Sequence, residues 1–365
     1  MLKHKVKRIK EKITQHERIL LFLSLIFGFI VDSLTLNRAD QVLDNIILIS
    51  QLSLAGGTLL LTFLKKEKEI KSFIFLKIQP LLPYMMQYAF GGLFSGFLVL
   101  YIRSGALITS FPFLLTLLVL LISNEFIHEK YPFLTLQTTI LFIAVLSYSN
   151  MITPVILNQT GTFIFILSTL IALLIISLFV LLLTKVLPKT FSRSKDLLKG
   201  SIIITFLVFH FLYFTNIIPP IPLSLKDGGI FHSLTKLPNG DFQVQGEKHE
   251  WYRPFKDYNN TFHWTSGETI YAFSAVFTPI EVREKIYHQW SYFDEKALRW
   301  IDSDRIPITI YSGRDSGFRG YSQKSAVFTG KWRVDIENEK GQVIGRLRFD
   351  IVKSSQKPSL VARVY

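Results

Sequence analysis

The sequence predicts an N-terminal α-helical polytopic membrane domain of about seven spans, followed by a C-terminal all-β, Ig-like sandwich. Three observations predict it. Apolar runs long enough to cross a bilayer core of about 30 Å recur through the first 220 residues. Lys and Arg collect in alternate connecting loops. Beyond residue 222 the hydrophobic period changes from helical to two. With 49% hydrophobic residues and 32 Phe, 365 residues are too apolar for one soluble domain.

The expected spans are 19–36, 46–64, 80–102, 107–123, 134–152, 163–186 and 201–218. The fourth is the shortest, and a re-entrant segment there leaves six spans. A basic segment, 1–18, precedes the first span. That segment and the second, fourth and sixth loops hold 18 Lys and Arg, whereas the alternate loops hold Arg38 and Arg103. Positive charge marks the cytoplasmic side, so the N-terminus is expected inside and everything after Pro219 outside. The first run lacks a small-residue cleavage site and reads as an uncleaved anchor.

The formal charge of +14 invites a nucleic-acid reading, but 20 of the 41 basic residues and 10 of the 27 acidic ones precede residue 223. Most of the excess is therefore an orientation signal, and no nucleic-acid partner is expected. The absence of cysteine excludes disulfides, thiolate metal sites and cysteine nucleophiles.

Ionisable groups inside spans mark transport chemistry when they have no blander role. Asp32 is the acid well inside a predicted span, roughly 6 Å from its outer end at helical rise. A hydrated or Arg38-paired carboxylate is the bland alternative. Gln51, Gln87, Gln137 and His210 read as interhelical hydrogen bonds, and Gly92 with Gly96 as a close-packing motif. No inverted repeat of broken helices is evident, which weighs against a secondary transporter.

Pro219, Pro220 and Pro222 end the last helix and form a short linker, 219–222. The domain 223–365 follows. Runs rich in β-branched and aromatic residues at 269–277, 285–293, 306–311, 317–328, 331–337 and 342–352 read as strands of a sandwich of about seven. The less regular segment 223–260 adds one or two edge strands. In the last hairpin, a four-residue turn over 338–341 pairs Glu337 with Gln342 and puts the two apolar faces together. That register sets Arg333 opposite Arg346 and Lys331 opposite Arg348. Like charges opposed across strands cost stability, so two readings stand. One is an anion site, with Arg314 and Arg319 as extra arms. The other is a surface neutralised by Asp335, Glu337 or Asp350.

The ordered motifs Gly267-Glu268-Thr269-Ile270-Tyr271, Ile286-Tyr287-His288-Gln289-Trp290, Gly313-Arg314-Asp315-Ser316-Gly317-Phe318-Arg319-Gly320-Tyr321, Gly330-Lys331-Trp332-Arg333-Val334 and Gly341-Gln342-Val343-Ile344-Gly345-Arg346 resemble the bacterial domain of unknown function 2914. The resemblance covers about ninety residues, from Trp264 to Val352, and the stretch from Asp32 to Asp40 also looks like members that carry a membrane region. Ser312-Gly313-Arg314 stands where the family has Gly-Gly-Arg. The resemblance implies a β-sandwich in a bacterial envelope, with the helices in the inner membrane and the β domain periplasmic. It implies no activity.

No G-x-S-x-G, H-E-x-x-H, phosphate-binding loop or dinucleotide fingerprint is present. No catalytic residue, cofactor or metal ligand is named; His232, His249 and His263 lack metal-site spacing. His288 and Trp290 share a strand face and read either as a ligand-binding edge or as core. The first functional reading is a membrane-anchored binding or scaffolding module, with an anionic envelope polymer, a lipid headgroup or a protein as partner besides the bilayer. The second is a transporter or channel component, and the third an envelope enzyme.

Overall fold

The computed structural model describes residues 17–36, 39–67, 78–104, 110–126, 134–220, 223–247, 260–277, 284–310, 318–356 and 358–365. The chain divides into two compact units, a helical one reaching Thr215 and a β-rich one from Asn216 to Tyr365.

Seven described α-helices belong to the first: α1 (Glu17–Thr35), α2 (Val42–Glu67), α3 (Leu82–Arg103), α4 (Phe111–Phe126), α5 (Leu134–Leu157), α6 (Thr162–Val186) and α7 (Pro188–Phe214). Five of them, α2, α3, α5, α6 and α7, are long and apolar enough to cross a membrane. The apolar stretches Ile26–Thr35 of α1 and Phe111–Ser123 of α4 are shorter. Along α6, Leu170, Leu174 and Leu178 form an i, i+4 row that is 49%, 60% and 57% exposed. Such a row is unfavourable in water and well solvated by lipid tails.

The basic stretch 188–200, expected as a loop, is instead the start of α7. Pro188 suits the first helical position because its missing N–H has no partner there anyway. Glu67 supplies the acceptors that the next amides need: Lys189 and Thr190 donate backbone N–H bonds to it at 2.8 and 3.0 Å. The end of α2 and the start of α7 are thereby tied together. Of the expected interhelical bonds, His210 on α7 lies 3.4 Å from the Thr169 hydroxyl on α6.

The second unit contains eleven described strands rather than about seven: β1 (Ser224–Phe231), β2 (Ser233–Lys236), β3 (Phe242–Glu247), β4 (Thr261–Trp264), β5 (Ile270–Phe277), β6 (Glu284–Asp294), β7 (Arg299–Ile310), β8 (Phe318–Lys324), β9 (Gly330–Glu337), β10 (Val343–Lys353) and β11 (Leu360–Val364). They form three sheets, ordered β1-β5-β8, β4-β10-β9-β6-β7 and β11-β3-β2. All pairings are antiparallel except β4 with β10.

The run Ile270–Phe277 explains the layering. Alternate side chains leave a strand on opposite faces, and β5 is apolar on both. Ile270, Ala272 and Val276 enter a core with Ile286, Trp290, Trp332, Val334 and Phe349 of the five-stranded sheet. Phe273 and Ala275 enter a second core with Phe231, Phe242 and Val244 on the side of the β11-β3-β2 sheet. A strand buried on both faces reads as a continuous apolar run.

Polar pins cross the first core. His288 on β6 is fully buried, with Nε2 2.7 Å from Ser274 Oγ on β5 and Nδ1 2.9 Å from Ser322 Oγ on β8. Burial pushes its imidazole down to about 3. Trp290 donates its indole N–H to the same Ser322 hydroxyl at 2.9 Å. Lys324 on β8 pairs with Asp304 on β7. Two glycines permit close approach: a Cβ at Gly320 would run into Ile308, and one at Gly345 into Leu225.

Candidate functional site

The side of the five-stranded sheet turned away from this core carries the charged residues, because β9 and β10 alternate apolar and polar positions. Their hairpin differs from expectation in register. Asn338 accepts N–H bonds from Gln342 at 2.9 Å and Lys340 at 3.1 Å through its side-chain oxygen, and its own N–H donates to the Gln342 carbonyl at 3.1 Å. The loop is therefore Asn338–Gln342, and Glu337 pairs with Val343. The register then shifts between Val343 and Gly345, which places Ile344 in a bulge. Together these slide the pairing by two residues. Arg346 faces Asp335, Arg348 faces Arg333, and Lys331 faces Asp350. The expected opposition of Arg333 to Arg346 and of Lys331 to Arg348 is corrected accordingly.

Asp335 is the centre of this face. Arg346 donates to it from Nε at 2.5 Å and from Nη2 at 2.7 Å, the bidentate geometry that matches guanidinium to carboxylate. Arg333 Nε lies 3.5 Å from Oδ2, the oxygen that Arg346 Nη2 also holds, and the Arg333 guanidinium sits 4.6 Å from the Trp300 ring centroid. These side chains cover Asp335 until it is 2% exposed. Next to it, Arg305 stacks 3.9 Å from the Tyr287 ring centroid and lies 3.8 Å from Glu337. Burial, reinforced by the negative charge of Asp335 and opposed by Arg305, pushes Glu337 up to about 7. Lys331 and Arg348 form the exposed rim, with Lys331 5.7 Å from the Phe293 ring centroid.

Four expected residues thus meet on one face: Lys331, Arg333, Arg346 and Arg348. The others do not. Arg319 leaves β8 on the side opposite Gly320 and Ser322 and pairs with Asp241 at 2.5 Å. His288 and Trp290 are fully buried, so of their two readings the core one holds and the ligand-binding edge is not formed. Arg314 lies outside the described residues, as does Arg38. Asp32 lines a cavity within the helical unit, together with Gln51 and Gln87.

Trp300 and Arg305 escaped the sequence reading, since β7 is twelve residues long and only its end shows strand character in isolation. A second cluster escaped it as well. His232 Nδ1 lies 2.6 Å from Glu268 and its Nε2 3.2 Å from Glu247, whose other oxygen is 2.8 Å from His263 Nδ1. Phe262 stacks on the His232 ring at 4.0 Å. Burial alone would lower His232, but the hydrogen bonds and charges of the two glutamates raise it. No group of three or more His, Asp or Glu among the described residues is arranged to hold a metal ion.

Residues 283–351, which hold this entire charged face, match the family described as Protein of unknown function (DUF2914). The chain carries a DUF2914 segment. It runs from the start of β6 to the end of β10 and omits β1–β5, so the shared core with β5 extends beyond the matched residues. No curated protein matches the chain. Among solved structures, an alkylpurine DNA glycosylase AlkC of Pseudomonas fluorescens, bound to DNA containing an abasic site analog, aligns over 85% of this chain and 99% of its own. Its identity is 8% and the TM-score 0.21, so it carries no argument about fold or function.

Proposed function

We propose that the DUF2914 segment belongs to a binding module, Ig-like in its two facing sheets, held at a bacterial inner membrane by the helical unit. The loop charges support a cytoplasmic N-terminus, with seven crossings and the β unit outside. The link from Glu67 to Lys189 and Thr190 supports it too, because it gathers two of the basic segments at one end of the helices.

One observation carries the reading: Asp335, Arg346, Arg333 and Trp300 fix one another on the polar face of the sheet. Side chains already held in place lose little freedom when a partner docks, which is how preorganised surfaces gain affinity. The clamp joins one carboxylate to two guanidiniums and buries most of each side chain, so recognition falls to the exposed rim, where Lys331, beside Phe293, and Arg348 present positive charge. The partner that fits is an acidic envelope polymer or an acidic protein surface.

Reversal of Arg333 or Arg346 would strip Asp335 of its partners, so the test reverses the rim. Full-length protein in nanodiscs, exposed to solubilised envelope material, is expected to retain an acidic component. Lys331→Glu combined with Arg348→Glu is expected to lose it without a change in the thermal unfolding midpoint. Undiminished retention by the double variant removes the rim from the account.

A further inference from the structure

The helical unit holds a half-open cavity of about 480 Å³ between α1, α2 and α3, touched by Leu121 of α4. Its position in an apolar helix bundle makes its polar lining unusual. Asp32 of α1 stands beside Ser95 of α3, and Gln51 of α2 faces Gly92 of α3. A Cβ at position 92 would collide with the Gln51 amide, so glycine there makes room for a polar side chain rather than for a neighbouring backbone. Gly96, one turn on, meets Leu36 and Leu48 and does serve close packing. Gln51 is 9% exposed, and its Oε1 has no hydrogen-bond partner among the described residues. A buried acceptor left unmet in this way asks for a donor from elsewhere.

The lining selects the donor. A carboxylate disfavours anions. The lining supplies a single carboxylate beside the neutral oxygens of Gln51, Gln87 and Ser95, and no group of three carboxylates or histidines among the described residues is placed to hold a hard divalent cation. Tyr84, Tyr88 and Phe27 add aromatic rings to the lining, which suit a cation better than an anion, and Leu121 adds an apolar surface. The volume is that of a small-molecule site. We propose that this cavity binds a primary ammonium group, carried by a small soluble amine or by a lipid headgroup. The charge sits at Asp32, an N–H donates to Gln51 Oε1, and the hydrocarbon part lies against Phe27 and Leu121.

Calorimetric titration of the full-length protein in detergent micelles with butylammonium tests this, with butanol and butyrate as neutral and anionic counterparts. Saturable binding of butylammonium alone is expected. Asp32→Asn should weaken it at least tenfold, and Gly92→Leu, which keeps the carboxylate but fills the space, should abolish it. Circular dichroism melts show whether each variant is folded, and Gln51→Leu serves as a milder replacement. Displacement of butylammonium by phosphatidylethanolamine, but not by phosphatidylglycerol, identifies a lipid headgroup as the source; inert phosphatidylethanolamine identifies a soluble amine. The proposal is overturned by no saturable binding, by equal binding of butanol, or by wild-type affinity in folded Asp32→Asn and Gly92→Leu proteins.

Discussion

Arg346 holds Asp335 through two parallel hydrogen bonds of 2.5 and 2.7 Å across the β9–β10 hairpin. Both side chains are largely buried, so removal of one leaves a desolvated charge behind. Asp335→Ala is expected to destabilise the β unit by about 3–5 kcal/mol, and replacement of both residues by apolar side chains of similar volume to recover most of that loss. Urea unfolding of the full chain, followed by tryptophan fluorescence, reads this unit selectively, because all five Trp lie after residue 250.

Glu337 gives the same face a pH dependence near neutrality. Its carboxyl is raised to about 7 from an ordinary value of 4.5, so between those values the folded state holds a proton that the unfolded state releases. Its contribution is therefore fully present below 4.5 and lost as the pH rises through 7. Glu337→Gln is expected to flatten that part of the stability profile, measured as unfolding midpoints from pH 5 to pH 8.

His288 works in the opposite direction. Its imidazole is lowered to about 3, while an unfolded chain takes up the proton near 6.5. Stability from this site is full above 6.5 and is lost as the pH falls toward 3. His288→Leu should remove this acid sensitivity, at a cost of about 1–3 kcal/mol for the Ser274 hydroxyl it leaves unmet, while Ser322 keeps the Trp290 indole as a partner. Melts of the variant and wild-type proteins at pH 5 and pH 7.5 separate the two effects.

Gly320 and Gly345 lie against side chains of a different sheet, Ile308 and Leu225. Gly320→Ala and Gly345→Ala are each expected to cost about 1–3 kcal/mol through overpacking against Ile308 and Leu225. Chemical denaturation midpoints of the two variants measure it.

The hairpin shows how far sequence reaches. A slip of two residues leaves every side chain on the same face, so the burial of Trp332, Val334, Leu347 and Phe349 follows from alternation alone. The charge partners do not, because they depend on the five-residue Asn338 loop and the bulge at Ile344. The helices were legible from run length, except that Pro188 starts α7 within the basic stretch. The cluster of His232, Glu247, His263 and Glu268 was illegible, since four segments with no common period bring it together. Gly92 likewise gave no sign that it makes room for Gln51, forty-one positions away.

Photo-crosslinking in intact cells tests the central claim most directly. A benzophenone side chain placed at position 331 or 348 of the full-length protein is expected to capture the same acidic partner, and Trp300→Ala to reduce that capture severalfold. The same probe at position 361 on β11, in another sheet, should capture nothing. Equal capture at 361, or none at 331 and 348, would contradict a binding face on the DUF2914 segment.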